Sequence, residues 1–114
     1  MTDISSDPRA QALARYLRDR AAAFSLSADS TGEQHIASAG MALLDAAAVA
    51  ERLSAVDTRL ATLTRAGRFE SQEDGTNRFL ETDGVRRVIQ RPLSGAPMSG
   101  QEILDLLVAS AWDE

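Results

Sequence analysis

At Gly67 the period of the apolar residues changes, and that change limits the chain to a mixed fold. From Pro8 to Ala66 apolar residues recur every three or four positions, the spacing of helices buried on one side. Beyond Gly67 come the short runs "RFES", "NRFLET" and "VRRVIQR", divided by "QEDG" and "DG". Runs of this length between turn residues read as strands, and a two-residue Asp-Gly link is a strong hairpin signal. The expected class is α+β and mainly helical, with three to four helices around a buried central helix. A three-stranded antiparallel meander over residues 68–91 and a C-terminal helix complete it.

The first helix is expected over 8–24. Asp7 is a capping residue, and Pro8 suits the first helical position, where its missing N–H costs nothing. Ala10, Leu13, Ala14, Leu17, Ala21 and Phe24 form one stripe, which "SLSADSTG" ends. Ser30 with Glu33, or Thr31 with Gln34, offers a capping box for a second helix over 32–53. Its first apolar set is Ile36, Gly40, Leu43, Leu44 and Ala47. The next set, Val49, Leu53, Val56, Leu60 and Leu63, lies roughly 180–260° around, at about 100° per residue. One continuous helix to Ala66 would present opposite faces in its two halves. A bend at "RLSAVD" would instead start a separate helix over 55–66, and the cap formers Ser54 and Asp57 favour the bend. Met41 to Leu53 is apolar on most sides, which marks the second helix as the buried centre.

Strands are expected over 68–72, 77–82 and 85–91. With Asp83-Gly84 at the last turn, Glu81 faces Arg86 and Phe79 faces Val88, both sensible cross-strand pairs. Ser99 and Glu102 make a capping box for a final helix over 100–112.

Composition narrows function mainly by exclusion. A length of 114 residues fits a single domain over 1–114. The net charge of −5 repels nucleic acid and anionic lipid on average. With no cysteine there is no disulfide, thiolate zinc site or cysteine nucleophile. "MTDISSDPRA" lacks the pattern of a secretory leader and no apolar run is long enough to cross a bilayer, so a cytoplasmic chain with no membrane partner is expected. His35 has Thr31, Gly32, Ser38 and Ala39 where a second metal ligand on a helix belongs. Asp45 and Glu51 point in different directions, and Glu70, Glu73 and Asp74 gather at a turn where solvated acids are ordinary. "SGAPMSG" lacks the lysine and hydroxyl residue of a phosphate loop. No catalytic, metal or cofactor-binding residue and no cofactor is assigned, and the chain is read as non-enzymatic.

What remains is surface. In the expected meander Phe79 and Val88 lie on one side and Leu80, Val85 and Ile89 on the other, while the last helix carries Leu106 and Trp112 in surplus. Leu80, Val85, Ile89, Leu106 and Trp112 are the expected interaction surface. A symmetric homodimer is its simplest cover, beside an unidentified protein partner. The alternative reading starts from "AVDTRLATLTRAGRFESQEDGTNRFLETDG", which resembles winged helix-turn-helix proteins in its order of helix, glycine, strand, polar turn and strand. The resemblance implies a DNA-binding transcriptional regulator that uses helix 55–66 and the following hairpin. Thr58, Arg59, Thr62 and Arg65 would face the bases and phosphates, with Arg68 and Arg78 on the wing strands. Residues 59–91 hold seven arginines against five acids, a net of +2 (7 − 5). Against this, the acidic tip at Glu73 and Asp74 repels phosphate, and the turn between the second and third helices is short for the motif.

Overall fold

The computed structural model describes residues 7–54, 56–94 and 98–111. In chain order it holds α1 (Pro8–Thr31), α2 (Gln34–Ala50), α3 (Thr58–Arg65), β1 (Phe69–Ser71), β2 (Asn77–Phe79), α4 (Asp83–Gln90), a 3-10 turn (Arg91–Ser94) and α5 (Gly100–Ala109). The fold is mainly helical α+β. Among the described residues no helix is long and apolar enough to cross a membrane.

α1 begins where expected, with the Asp7 carboxylate accepting the Arg9 N–H at 2.8 Å. It then runs past Phe24 to Thr31. Ala28 continues the buried stripe, while Ser25, Leu26, Ser27, Asp29 and Ser30 face outward. Serine and aspartate on an exposed helix face cost only fractions of a kcal/mol each, so "SLSADST" does not stop the helix. Gly32 stops it, at φ +72, with its N–H on Ala28 O at 2.7 Å. The capping box expected for the second helix is therefore corrected: Ser30 and Thr31 belong to α1, and α2 opens after Glu33 with no side-chain cap hydrogen bond.

α2 folds back along α1, and Gly40 marks their close approach. A Cβ on Gly40 would lie 3.3 Å from Ala21 O and 3.4 Å from Phe24 Cβ. The chain leaves the helix after Ala50 and α3 starts at Thr58, so the bend is real and a continuous helix is excluded. Asp57 makes that start by accepting the Arg59 N–H at 2.9 Å. Leu60 and Leu63 carry α3 into the core, and Gly67 at φ +75 follows its end. α3 packs chiefly on α5 rather than on α2.

Two further expectations are corrected. The sheet has two strands, not three, paired antiparallel with Phe69 opposite Phe79 and Glu70 opposite Arg78. "VRRVIQR" belongs instead to α4 and the turn after it. The Thr82 hydroxyl accepts the Val85 N–H at 3.2 Å, and Asp83 sits in the first turn, where a negative charge suits the helix dipole. Val85, Val88 and Ile89 then fall at i, i+3 and i+4, and all are buried. β-branched residues read as strand because strand propensity reflects fit to a half-buried surface, and tertiary packing overrides it here. Glu81 and Arg86 still meet, at 3.5 Å, but around the start of a helix.

The second correction concerns the centre. α2 is not enclosed: Met41 is 67% and Leu44 48% exposed, because α1 and α5 cover only one side of it. The core is shared, with Leu13 and Leu17 of α1, Leu43 of α2, Leu60 and Leu63 of α3, Ile89 of α4, and Ile103, Leu104 and Leu107 of α5. α5 is tied down at its start by the expected capping box: the Ser99 hydroxyl accepts the Glu102 N–H, and the Glu102 carboxylate accepts the Ser99 N–H, both at 3.1 Å.

Candidate functional site

The outer face of the α1–α2 hairpin is the most apolar open surface among the described residues. At about 100° per residue, Ala37, Met41, Leu44 and Ala48 share one side of α2, roughly opposite its buried residues Ala39, Leu43, Ala46 and Ala50. Met41 and Leu44 are exposed, and Ala37 and Ala48 half-buried. The approach at Gly40 sets α2 against Ala21, Phe24 and Ser25, which brings the exposed Ala22 and Leu26 of α1 alongside this stripe. An ion pair between Arg18 of α1 and Glu51 bounds it at one end. At the other lie Glu33 and His35, 3.7 Å apart.

The residues expected to form the interaction surface are distributed otherwise. Val85 and Ile89 are fully buried in the protein's own core, because the segment is a helix with its stripe turned inward. They offer no surface. Leu80 is half-buried, with its N–H on Arg68 O at 2.8 Å. Leu106 is half-buried and lines a groove of about 290 Å³ between α4 and α5, with Arg87 and Arg91 on the opposite wall. Trp112 lies outside the described residues.

The residues named for a DNA-reading face are mostly engaged within the chain. Arg59 donates to Gln101 Oε1 at 2.8 Å and to Asp57 Oδ1 at 3.2 Å, linking the α3 cap to α5. The Thr62 hydroxyl donates to Thr58 O at 2.9 Å. Arg68 donates to Ala66 O at 3.3 Å, and Arg78 to Glu70 across the hairpin at 2.6 Å. Thr58 and Arg65 are exposed. The turn before α3 is longer than the sequence indicates, but α3 leans on α5 rather than α2, so the two helices do not form the packed pair of a helix-turn-helix.

One polar cluster joins three elements. The Tyr16 hydroxyl of α1 donates to the Glu81 carboxylate just past β2, and the Tyr16 ring lies 5.0 Å from that of Phe79. Arg86 of α4 reaches Glu81, and also Asp83 at 3.0 Å. Burial, then the hydrogen bond to Glu81 and its charge, push the Tyr16 phenol far above its ordinary range. A phenol held neutral is a steady donor, and its role here is to fasten α1 to the start of α4. The Arg20 Nε one turn along is buried with no hydrogen-bond partner.

Among the described residues, grooves of about 220 to 290 Å³ open on the surface. Sites that enclose a small molecule are usually about 300–1,000 Å³, so these suit side-chain contact better than enclosure. Among the described residues no group of three or more histidine, aspartate or glutamate side chains converges on a point where a metal would sit. No known protein family, no curated protein and no solved structure matches this chain.

The α2 stripe was within reach of the sequence. A helix apolar on most sides carries more apolar surface than one or two neighbours cover, and its 37/41/44/48 spacing is separable from the buried 39/43/46/50 set.

Proposed function

We propose that this chain is a non-enzymatic protein-interaction domain that pairs with a second copy of itself through the outer face of α2. The observation carrying the reading is the exposure of Leu26, Met41 and Leu44 at 69%, 67% and 48% on one side of the α1–α2 hairpin. Residues 37, 41, 44 and 48 follow the 4–3–4 spacing of paired helices. Their sizes run small, large, large, small. A two-fold axis between Met41 and Leu44 would therefore set each against the other in an antiparallel partner, with Ala37 meeting Ala48 at both ends. Such self-complementarity is what a symmetric dimer needs.

The magnitudes favour a reversible association. Covering the three side chains in both copies contributes on the order of 8 kcal/mol gross, of which association costs at least about 4 kcal/mol. The balance, at most about 4 kcal/mol, corresponds to dissociation in the millimolar range. Sedimentation equilibrium across that range tests it. The wild type should rise from 12.2 kDa toward twice that mass, while Met41→Glu/Leu44→Glu stays monomeric with unchanged helical circular dichroism. A wild type that is monomeric throughout, or a double variant that still dimerises, sinks the reading. Salt-sensitive binding of a generic DNA duplex, measured alongside by fluorescence polarisation, would instead favour a regulator.

A further inference from the structure

We propose a second, independent site: the groove between α4 and α5 receives, from a partner protein, a large apolar side chain flanked in its own sequence by carboxylates. Gly84, Arg87, Val88 and Arg91 fall at i, i+3, i+4 and i+7, one straight stripe along α4 and its end. Leu106 and Ala109, three apart on α5, form the facing row. The space between the rows is about 290 Å³. Gly84 has no side chain to fill it, Val88 is buried beneath it, and Leu106 is only half-buried beside it. The floor is therefore apolar, while Arg87 and Arg91 stand one turn apart on one wall.

Charge selects the occupant. Among the described residues no aspartate or glutamate lines the groove. The acids nearest in sequence are engaged or turned aside. Glu81 and Asp83 hold Arg86, and Glu102 closes the α5 capping box. Asp105 lies about 100° around α5 from Leu106. Residues 83–91 carry three arginines against one aspartate, a net of +2 (3 − 1), in a chain whose net charge is −5. Like charges at i, i+4 oppose a helix, and the α4 dipole, about half a charge at the C-terminus, offsets only part of this. Arg91 also makes a contact within the chain. Arg87 is exposed and makes no ion pair among the described residues, so it is assigned to the incoming carboxylate. Arginine grips a carboxylate through two parallel N–H···O bonds. The apolar floor in turn favours a side chain such as phenylalanine, which an inorganic anion lacks.

The test follows amide NMR shifts of the whole chain during titration with an end-blocked Glu-Asp-Phe-Asp-Glu peptide. Glu-Asp-Ser-Asp-Glu and Lys-Lys-Phe-Lys-Lys peptides are the controls. Shifts should gather at Gly84, Val88, Leu106 and Ala109, and both controls should bind more weakly. Arg87→Glu, at an exposed position, should leave the circular dichroism unchanged and weaken the probe roughly three- to tenfold. Arg65→Glu makes the same change in net charge at an exposed position on α3 and should bind as the wild type does. No binding, shifts centred elsewhere, equal losses in the two arginine variants, or indifference to the phenylalanine would overturn the proposal. So would a probe that binds only after Asp113→Asn/Glu114→Gln, since the chain's own acids would then be the occupant. Because α2 does not line the groove, Met41→Glu/Leu44→Glu should bind the probe normally.

Discussion

Replacing Gly100 by alanine should destabilise the fold sharply, whereas the same change at Gly40 should be close to neutral. At Gly100 an added Cβ would sit 2.7 Å from Ala46 N and from Asp45 C, and 2.8 Å from Asp45 O. All three are backbone atoms of α2, so no side chain can swing aside and α5 must move by most of an ångström. Overpacking of this kind costs about 1–3 kcal/mol, and rigid backbone on both sides argues for the upper half. At Gly40 the nearest atoms are 3.3 and 3.4 Å away, a misfit of only tenths of an ångström. Alanine in a helix interior recovers about 1 kcal/mol of propensity there, which offsets that cost. With a shift of roughly 4–8 °C per kcal/mol for a domain near this size, Gly100→Ala should lower Tm by about 8–24 °C and Gly40→Ala by no more than about 5 °C. Thermal denaturation followed by circular dichroism at 222 nm measures both. Equal Tm values for Gly100→Ala and the wild type would show that α5 does not bear on the α2 backbone in this way.

Other outcomes follow from single contacts. Tyr16 is the only tyrosine, so absorbance at 295 nm reports it alone. Its phenol should resist ionisation well past the ordinary value of 10.0, and Glu81→Gln should bring the transition down part of the way, since burial remains. The sign follows: a raised folded value gives stability that is full below about pH 10 and lost as pH climbs through the folded value. Asp57 works at the acid end. The hydrogen bonds from Arg59 hold its carboxyl below 3.8, so its contribution is present above that value and lost as pH falls through the folded one. Urea midpoints between pH 5 and pH 3 should therefore drop less in Asp57→Asn than in the wild type. Ser99→Ala removes one half of the α5 capping box and should cost about 1 kcal/mol in urea denaturation; no loss would mean the cap does not hold α5.

The punctuation of the chain was legible, and some of its faces were not. Asp7, Asp57, Gly67 and the Ser99–Glu102 box all act where the sequence places them, because a cap works on its own first or last turn. Segment 85–91 was misread because Val, Val and Ile satisfy strand propensity and helical spacing together, and Asp-Gly can turn a hairpin or open a helix. Thr82 as cap and a core that receives Val85, Val88 and Ile89 settle the choice. Two residues of the expected interaction surface went inward with that helix. The candidate surface on α2 was hidden by a different ambiguity, since Met41 and Leu44 look like core in a helix apolar on most sides.

The sequence by itself determined the helical majority, the bend after α2, the glycine that ends α3 and the mixed class, all consequences of local periodicity and backbone chemistry. Only the tertiary structure decided which apolar stripes are covered. That depends on how many neighbours reach each helix: α1 and α5 cover one side of α2 and leave Met41 and Leu44 open.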